Sequence, residues 1–224
     1  MNAPHLAPLD SPKSLVDRVH DALVEAIRDG RLAPGAALRQ EQLAGQFGVS
    51  RQPVLQALLL LEREGFVRKA GRRGVVVAPI DPDFVRHLYA VRGALDGLAA
   101  RAAAMRRPST EAAAQAVAAG RAAVARGEPA EIAGADMAFH QLVYELSGNP
   151  LIGEAAGAHW SHIQRVMALS AASDMEHVWN EHEAILAAIA GGRAEHAERL
   201  ARLHAEANAQ SLAAALEAAA RRAA

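Results

Sequence analysis

The sequence predicts a mainly α-helical protein with a small first domain of three helices and a β-hairpin, followed by an all-helical bundle of six to seven helices. Two observations support this fold class. Apolar residues recur at helical spacing along most of the chain, and one Gly-rich segment between short apolar runs interrupts the pattern before residue 80. The length of 224 residues is also sufficient for two domains.

The first domain is expected over residues 13–80, after a disordered tail over residues 1–12 that is rich in proline and small residues. Its first helix should begin after Ser14 and bury one stripe of apolar residues, Leu15, Val19, Leu23 and Ile27. A second, short helix is predicted over residues 40–47, with Leu43, Ala44 and Phe47 facing the core.

Gly48 permits a sharp turn into a third helix, for which Ser50 is a suitable N-cap. The buried face of this helix is expected to consist of Val54, Leu58 and Leu61. After Gly65, the segments 66–69 and 75–77 have the pattern of two short strands around a turn. Three helices and a hairpin in this order form a winged helix-turn-helix, whose third helix typically enters the major groove of DNA.

The second domain is expected over residues 81–224, because Asp81-Pro82 combines an N-cap residue with a proline at the first helical position. Its opening helix should bury the stripe Leu88, Val91, Leu95 and Leu98. No strand pattern is found, so an all-α bundle is predicted. The predicted helices cover residues 82–105, 110–126, 129–147, 150–170, 174–190 and 193–220.

Charge differs between the two predicted domains. Residues 13–80 contain eleven Lys and Arg against seven Asp and Glu, whereas residues 81–224 contain thirteen against seventeen. Scatter of surface charge could explain a difference of this size, but a basic first domain also suits contact with a polyanion.

Composition and targeting signals suggest a cytoplasmic protein. No apolar run approaches the ~18–20 residues that cross a bilayer, and the N-terminus lacks a secretory signal, so no membrane contact is expected. The chain has no cysteine, which suits a reducing compartment and leaves His, Asp and Glu as possible metal ligands.

Seven side chains are expected to contact DNA. They are Arg39, Arg51, Gln52, Gln56, Lys69, Arg72 and Arg73. Arg51 and the two glutamines lie at the start of the third helix, where arginine matches the edge of guanine and glutamine that of adenine. The basic residues of the wing suit the DNA backbone or the minor groove, although any one of them could be an ordinary solvated charge.

Four side chains of the second domain could form a metal site. Asp136 and His140 are four residues apart and project from one side of a helix, while His182 and His204 lie on otherwise apolar stripes. Buried imidazoles need partners, and a shared divalent ion would satisfy all of them. Such ligands suit Zn²⁺, Ni²⁺, Mn²⁺ or Fe²⁺ better than Ca²⁺. Spacing alone leaves open a set of hydrogen-bonded core histidines, and His196 is a reserve ligand.

The segment LAGQFGVSRQPVLQALLLLEREGFV, residues 43–67, resembles the helix-turn-helix signature of the GntR family of bacterial regulators, LA..LGVSRTPVREAL..L..EGLV. The resemblance covers residues 13–80 and implies a DNA-binding regulator. Leu55 stands where the family normally has a DNA-contacting arginine, and Gln56 replaces the usual glutamate. The contact at position 55, and with it the operator sequence, is therefore expected to differ from the family pattern.

The second domain resembles the FCD ligand-binding domain of the FadR-type branch of that family. The segments that carry the resemblance are LYAVRGALDGLAARAAA, DMAFH, LSGNP and EHEAILAAI, followed by His204. The resemblance implies a metal held by Asp136, His140, His182 and His204, with Zn²⁺ the leading candidate. It also implies that Arg92 binds the carboxylate of a small acid. Asp96 stands where glutamate is usual.

Together these observations predict a homodimeric transcriptional regulator rather than an enzyme, with repression as the expected sign. It should bind a palindromic operator on double-stranded DNA and respond to a small organic acid bound at a divalent metal. One alternative is a sensor whose effector is the metal ion itself, and another is a purely structural metal. A metal-dependent hydrolase is disfavoured because no separate acid–base group accompanies the cluster.

Overall fold

The computed structural model describes residues 13–168 and 175–223 and falls into two compact units, residues 1–79 and residues 80–224. We call them the winged-helix unit and the helical unit. The predicted tail over residues 1–12 lies outside the described residues, as does the side chain of Arg73.

The winged-helix unit contains three helices and three short strands. In chain order they are α1 (Leu15–Arg28), β1 (Ala37–Leu38), α2 (Gln40–Phe47), α3 (Arg51–Arg63), β2 (Val67–Lys69) and β3 (Val75–Val77), with a 3₁₀ turn at Gly71–Arg73. The strands form an antiparallel sheet in the order β1-β3-β2, with Val67 opposite Val77. The predicted hairpin is present, and β1 adds a strand that is too short to give a sequence pattern.

Local interactions explain where these helices begin and end. Ser14 caps α1 in a capping box with Asp17, which satisfies two backbone N–H groups. Gly48 ends α2 with φ +64°, a conformation that favours glycine and turns the chain into α3. Ser50 occupies the N-cap position of α3 as expected, although its side chain makes no capping hydrogen bond.

The predicted core of this unit is correct apart from two side chains, Phe47 and Leu15, of which Leu15 is 51% exposed at the first position of α1. The fully buried residues include Leu23, Val54 and Leu61, as the spacing predicts. Phe47, predicted to face the core, is 37% exposed. It is the last residue of α2, where the helix ends at Gly48 and no further turn covers the ring.

The helical unit contains seven helices in its described part and no strand there, which confirms the predicted fold class. They are α4 (Pro82–Arg106), α5 (Glu111–Arg126), α6 (Pro129–Ser147), α7 (Pro150–Gly157), α8 (Trp160–Met167), α9 (Met175–Ala190) and α10 (Ala194–Ala223). The single helix predicted over residues 150–170 is wrong: it is divided into α7 and α8. Gly157, a poor helix former, lies at the break. Among the described residues, no helix has the length and apolar character needed to cross a membrane.

Helices α4 and α10 pack antiparallel along a surface of small residues. Ion pairs between Arg86 and Glu217 and between Arg101 and Glu198 join opposite ends of the two helices. The buried face of α10 consists largely of alanines, Ala197, Ala201, Ala205, Ala209 and Ala213. Small side chains on both helices allow their backbones to approach closely.

Close packing places only part of the predicted stripe of α4 in the core: Leu88 is buried and Leu95 is partly buried, as predicted. Val91 and Leu98, predicted to be buried, are 46% and 48% exposed, whereas Arg92 and Asp96 are buried. On α10, His204 is buried as expected but its neighbour Leu203 is 58% exposed. Val91 and Leu98 face outward, because the narrow space between α4 and α10 around Gly93 and Gly97 accommodates only small side chains.

A second close contact joins α5 to α9. The Trp179 ring of α9 is fully buried and lies over Gly120 of α5. A Cβ atom placed on Gly120 would lie 2.0 Å from the ring atoms of Trp179, so only glycine fits at this position without displacement of the ring.

We therefore expect Gly120→Ala to lower the free energy of unfolding of the helical unit by about 1–3 kcal/mol, as overpacking of a core typically does. This loss should outweigh the gain of up to about 1 kcal/mol from replacing glycine by alanine within a helix. Gly134→Ala is the matched control, because Gly134 lies within α6 and has no atom within 4 Å of an added Cβ. Urea denaturation of both variants checks the prediction, and equal stability would contradict it.

Candidate functional site

A buried cluster of one carboxylate and three imidazoles lies inside the helical unit. It consists of Asp136 and His140 from α6, His182 from α9 and His204 from α10, and each of them is at most 3% exposed. One potential ligand atom from each residue lies within 4.8 Å of the other three. The structure thus brings together the four residues that the sequence selects, and we call them the His–Asp cluster.

The spacing of these atoms fits a single metal ion. His182 Nε2 lies 3.2 Å from His204 Nε2 and 3.5 Å from Asp136 Oδ1, and His140 Nε2 lies 3.8 Å from the same Oδ1. Ligands bound tetrahedrally to Zn²⁺ at 2.0–2.1 Å are about 3.3–3.4 Å apart. The donors need only small shifts to reach that spacing.

Neighbouring carboxylates orient two of the three imidazoles. The Nδ1 atom of His204 lies 2.7 Å from Glu181 Oε2, and that of His140 lies 3.3 Å from Asp96 Oδ2. A proton on Nδ1 leaves the Nε2 lone pair of each ring directed into the cluster. The amide nitrogen of Asn208 lies 3.2 Å from His204 Nε2 and 3.4 Å from its Nδ1, and it donates to the backbone carbonyl of His204.

Two ring nitrogens in the cluster lack hydrogen-bond partners among the described residues. They are His140 Nε2, which belongs to the inner donor set, and His182 Nδ1. A buried nitrogen without a partner is unfavourable, so the cluster is better satisfied with a ligand than without one. The donor set therefore passes a chemical test for a metal site.

Arg92 borders the cluster and forms ion pairs with two carboxylates. Its Nη2 lies 3.3 Å from Asp136 Oδ2 and its Nε lies 3.4 Å from Asp96 Oδ2. Tyr144 donates a 2.5 Å hydrogen bond to Asp96. Asp96 lies one turn after Arg92 on α4, so the spacing of the sequence is compatible with this pair. The additional contact with Asp136 was missed because it joins α4 to α6.

The surrounding side chains keep Asp96 and Arg92 charged despite their burial. Burial opposes ionisation of Asp96, but His140, Arg92 and Tyr144 outweigh it and lower the pKa of this carboxyl to about 2. Burial also acts against the charge of Arg92, yet mainly Asp136 raises the pKa of its guanidinium above the ordinary value. Arg92 therefore remains a cation inside the bundle.

Two of the imidazoles, those of His140 and His182, are by contrast held neutral. Burial lowers the pKa of His182 well below its ordinary value, and the nearby histidines and Arg92 lower it further. Burial, followed by Arg92, also lowers the pKa of His140. Neutral imidazole is the form that binds metal ions, so both rings are in the protonation state that a metal requires.

Aromatic residues surround the cluster. The Phe139 ring stacks on His182 with 4.2 Å between ring centroids, and the Trp179 ring lies edge-on to it. The guanidinium of Arg92 lies 5.9 Å from the centre of the Trp160 ring and 5.3 Å from that of Tyr89. These rings exclude water and strengthen the electrostatic interactions inside.

A surface cleft of about 610 Å³ adjoins the cluster. Tyr144 and Trp160 line the cleft and also border the cluster, since Tyr144 hydrogen-bonds Asp96 and the Trp160 ring lies 6.4 Å from His140. The remaining walls are polar or small and come from residues 141–157. Sequence reasoning did not find this cleft, because its walls come from parts of α6, α7 and α8 that show no common motif.

The reserve ligand predicted from the sequence lies elsewhere. His196 contacts Arg199 and is not part of the His–Asp cluster, because it lies two turns of α10, about 12 Å, before His204. His162 is buried beside Phe84. The four residues selected from the sequence are thus the ones that converge.

In the winged-helix unit, the predicted DNA-contacting side chains whose exposure is described all lie on the surface: Arg39, Arg51, Gln52, Gln56, Lys69 and Arg72. Arg51 forms a 2.5 Å hydrogen bond with Glu41, which brings the first turns of α2 and α3 together. Lys69 lies 3.4 Å from Glu62. Glu41 and Glu62 were not singled out from the sequence, since both partnerships join different elements.

Comparison with known proteins identifies both parts of the chain. Residues 15–77 match the model of the family described as "Bacterial regulatory proteins, gntR family", and residues 87–207, more than half of the chain, match the FCD domain. A protein of Paenarthrobacter nicotinovorans named "Probable D-xylose utilization operon transcriptional repressor" is 29% identical over 83% of each chain.

Two other relatives align over less than half of the chain. The regulator YdhC of Bacillus subtilis is 33% identical, and the match spans 41% of this chain and 41% of that protein. A regulator from Agrobacterium vitis is also 33% identical, over 40% of this chain and 53% of the relative. The chain thus aligns with about half or less of these two relatives.

Solved structures share the fold. A GntR regulator from Rhodococcus sp. RHA1 superposes with a TM-score of 0.71 at 23% identity, over 88% of this chain and 96% of that one. The E. coli protein McbR/YncC gives a TM-score of 0.69 at 21% identity, over 89% and 97%. From the two family matches and the winged-helix and helical units that carry them, we conclude that the chain belongs to the GntR family of DNA-binding transcriptional regulators and carries an FCD domain.

Proposed function

We propose that this regulator controls its affinity for DNA through a small carboxylic acid bound beside a divalent metal ion in the helical unit. The observation that carries the proposal is the convergence of the His–Asp cluster with Arg92 in one buried site. Asp136, His140, His182 and His204 would hold the ion, with Zn²⁺ the leading candidate. When bound, the ion would supply positive charge for an anionic ligand.

Charge balance supports a cation as the first occupant of the site. Arg92 provides one positive charge, whereas Asp96, Asp136 and, beside His204, Glu181 provide three negative ones. A divalent ion would neutralise this sum of −2, so the site favours the metal first and an anion only once the metal is bound.

Arg92 is suited to orient such an anion. Its guanidinium offers parallel donors that match a carboxylate, and the surrounding aromatic rings keep water away. The cleft lined by Tyr144 and Trp160 provides space for the remainder of the ligand. The acid would alter DNA affinity only if it binds one conformation of the regulator more tightly than the other.

The DNA contacts are proposed for the exposed side of the winged-helix unit. Arg51, Gln52 and Gln56 would contact base edges, and Arg39, Lys69, Arg72 and Arg73 would contact phosphates or the minor groove. Repression is the proposed sign, because the relative that aligns over 83% of its length is named a repressor.

We also propose a homodimer on a palindromic operator. Val91, Leu98 and Met105 follow one another at intervals of seven residues on α4 and are 46%, 48% and 70% exposed. An exposed apolar stripe of this length is typical of a surface that another protein covers. A second copy of the chain is the occupant that a twofold-symmetric operator requires.

Arg51→Ala is expected to reduce discrimination between operator and random duplex DNA by about 5- to 150-fold, the equivalent of one bidentate base contact of ~1–3 kcal/mol. Arg72→Ala should weaken both duplexes equally and reduce the slope of affinity against salt, because a phosphate contact carries no sequence information. Arg63→Ala, exposed at the far end of α3, is the control. Fluorescence anisotropy at several salt concentrations measures these effects. Unchanged discrimination in Arg51→Ala would contradict the proposed readout.

His182→Ala should lose bound metal, because it removes one of the four proposed ligands. Its apo form should retain operator affinity, because these ligands all belong to the helical unit and none to the winged-helix unit. Native mass spectrometry after Zn²⁺ loading measures the first effect and anisotropy the second. His196→Ala is the control and should retain metal, since His196 contacts Arg199 rather than the cluster. Normal metal content in His182→Ala would refute the proposed ligand set.

Operator affinity is measured first during a Zn²⁺ titration without organic acid and then with a panel of mono-, di- and tricarboxylic acids. The two measurements distinguish acid sensing from metal sensing. The proposal expects operator affinity to change with an acid only in the metal-loaded protein. A full response to Zn²⁺ alone would favour the metal-sensing alternative. A metal that raises thermal stability, with no effect of metal or acid on operator affinity, would indicate a structural ion.

Leu98→Glu is expected to convert a dimer into a monomer, because it places a charge in the centre of the exposed stripe of α4. Leu151→Glu is the control, since Leu151 is 66% exposed but lies on α7. Sedimentation velocity distinguishes the two species. A dimer that survives Leu98→Glu, or dissociates equally in Leu151→Glu, would show that this stripe is not the interface.

A further inference from the structure

The exposed side of α3 is only partly polar. Arg51, Leu55 and Leu59 are four residues apart and form one stripe along the helix, with Gln52 and Gln56 beside it. Leu59 is 52% exposed and Leu55 is half-buried. Neither belongs to the buried face of α3, which is formed by Val54, Ala57, Leu58 and Leu61.

A leucine on this stripe needs an apolar partner when α3 is covered by DNA. Its side chain has no hydrogen-bonding group, so contact with phosphates or polar base edges would remove water from those atoms without replacing its hydrogen bonds. The major groove offers one prominent apolar group, the C5-methyl of thymine. Leucine therefore selects thymine where arginine would select guanine.

Position along the helix distinguishes the two leucines. Leu55 lies one turn after Arg51, about 6 Å further along the axis, which corresponds to one or two base pairs. Leu59 lies another turn away, beyond the N-terminal part of a recognition helix that normally reaches base edges. Leu55 is thus the residue placed for readout.

We propose that Leu55 determines specificity by contacting the C5-methyl group of a thymine within two base pairs of the base read by Arg51. The inference rests on the proposed entry of α3 into the major groove. It adds an apolar contact to a set of polar ones, and it makes the preferred half-site richer in A·T pairs next to the base contacted by Arg51.

The test begins with selection of operators from a randomised duplex pool by the full-length protein. Each thymine of the selected operator is then replaced by deoxyuridine, which lacks only the methyl group. We expect one thymine per half-site at which this replacement weakens binding about fourfold, the effect of one buried methyl-sized group. Leu55→Ala should lose that sensitivity, and Leu59→Ala, the matched control, should retain it.

A gain-of-function variant provides a second arm. Leu55→Arg should shift the selected base at that position from thymine towards guanine and remove the sensitivity to deoxyuridine. Leu55 lies outside the core of its unit, so both variants should fold, and circular dichroism checks this.

The possible failures are distinguishable. Selection of the same operator by Arg51→Ala would overturn the placement of α3. A changed operator in Arg51→Ala, but no methyl effect in the wild type or an equal effect in Leu55→Ala, would overturn the role of Leu55 alone. Loss of the methyl effect in Leu59→Ala and not in Leu55→Ala would assign the contact to the other leucine.

Discussion

The helical unit depends on a group of charges that cannot be buried separately. Arg92, Asp96 and Asp136 lie within an alanine-rich core that offers few other polar groups, so each charge is tolerated only because of the others. This requirement fixes how α4 faces α6. It also explains why the buried side of α4 carries an arginine and an aspartate beside Leu88, while Val91 and Leu98 face outward. The position of the candidate ligand site follows from the same pairing.

Local chemistry made much of the fold predictable. Helix starts at Ser14 and Asp81 follow from side-chain caps, and the turn at Gly48 follows from its left-handed backbone. The side of α4 that faces the core was not predictable from such local signals. Alanine packs on either side of a helix, so the pattern of large apolar residues no longer indicates the core, and Val91 and Leu98 were assigned to the wrong side. Their exposure depends on the distance between α4 and α10, which the sequence pattern does not indicate.

The candidate site was predictable in its ligands but not in its surroundings. Regular spacing on apolar stripes, together with the family resemblance, correctly selected the residues that converge, which are three of the ten histidines and one aspartate. The residues that orient them were missed: Glu181 reaches His204 from another helix, and Tyr144 reaches Asp96. Two signals in the sequence were available. Glu181 directly precedes His182, and Tyr144 is one helical turn after His140.

The smooth contact between α4 and α10 also bears on how the molecule can move. Large interlocking side chains hold packed helices at fixed positions, whereas surfaces of glycine and alanine have shallow relief and oppose shear less strongly. Helix α4 has 25 residues and is a rod about 37 Å long. The same rod carries Arg92, whose Nη2 lies 3.3 Å from Asp136 Oδ2 of α6. A small axial slide of this rod would therefore change that distance, and with it the charges around the candidate ligand site.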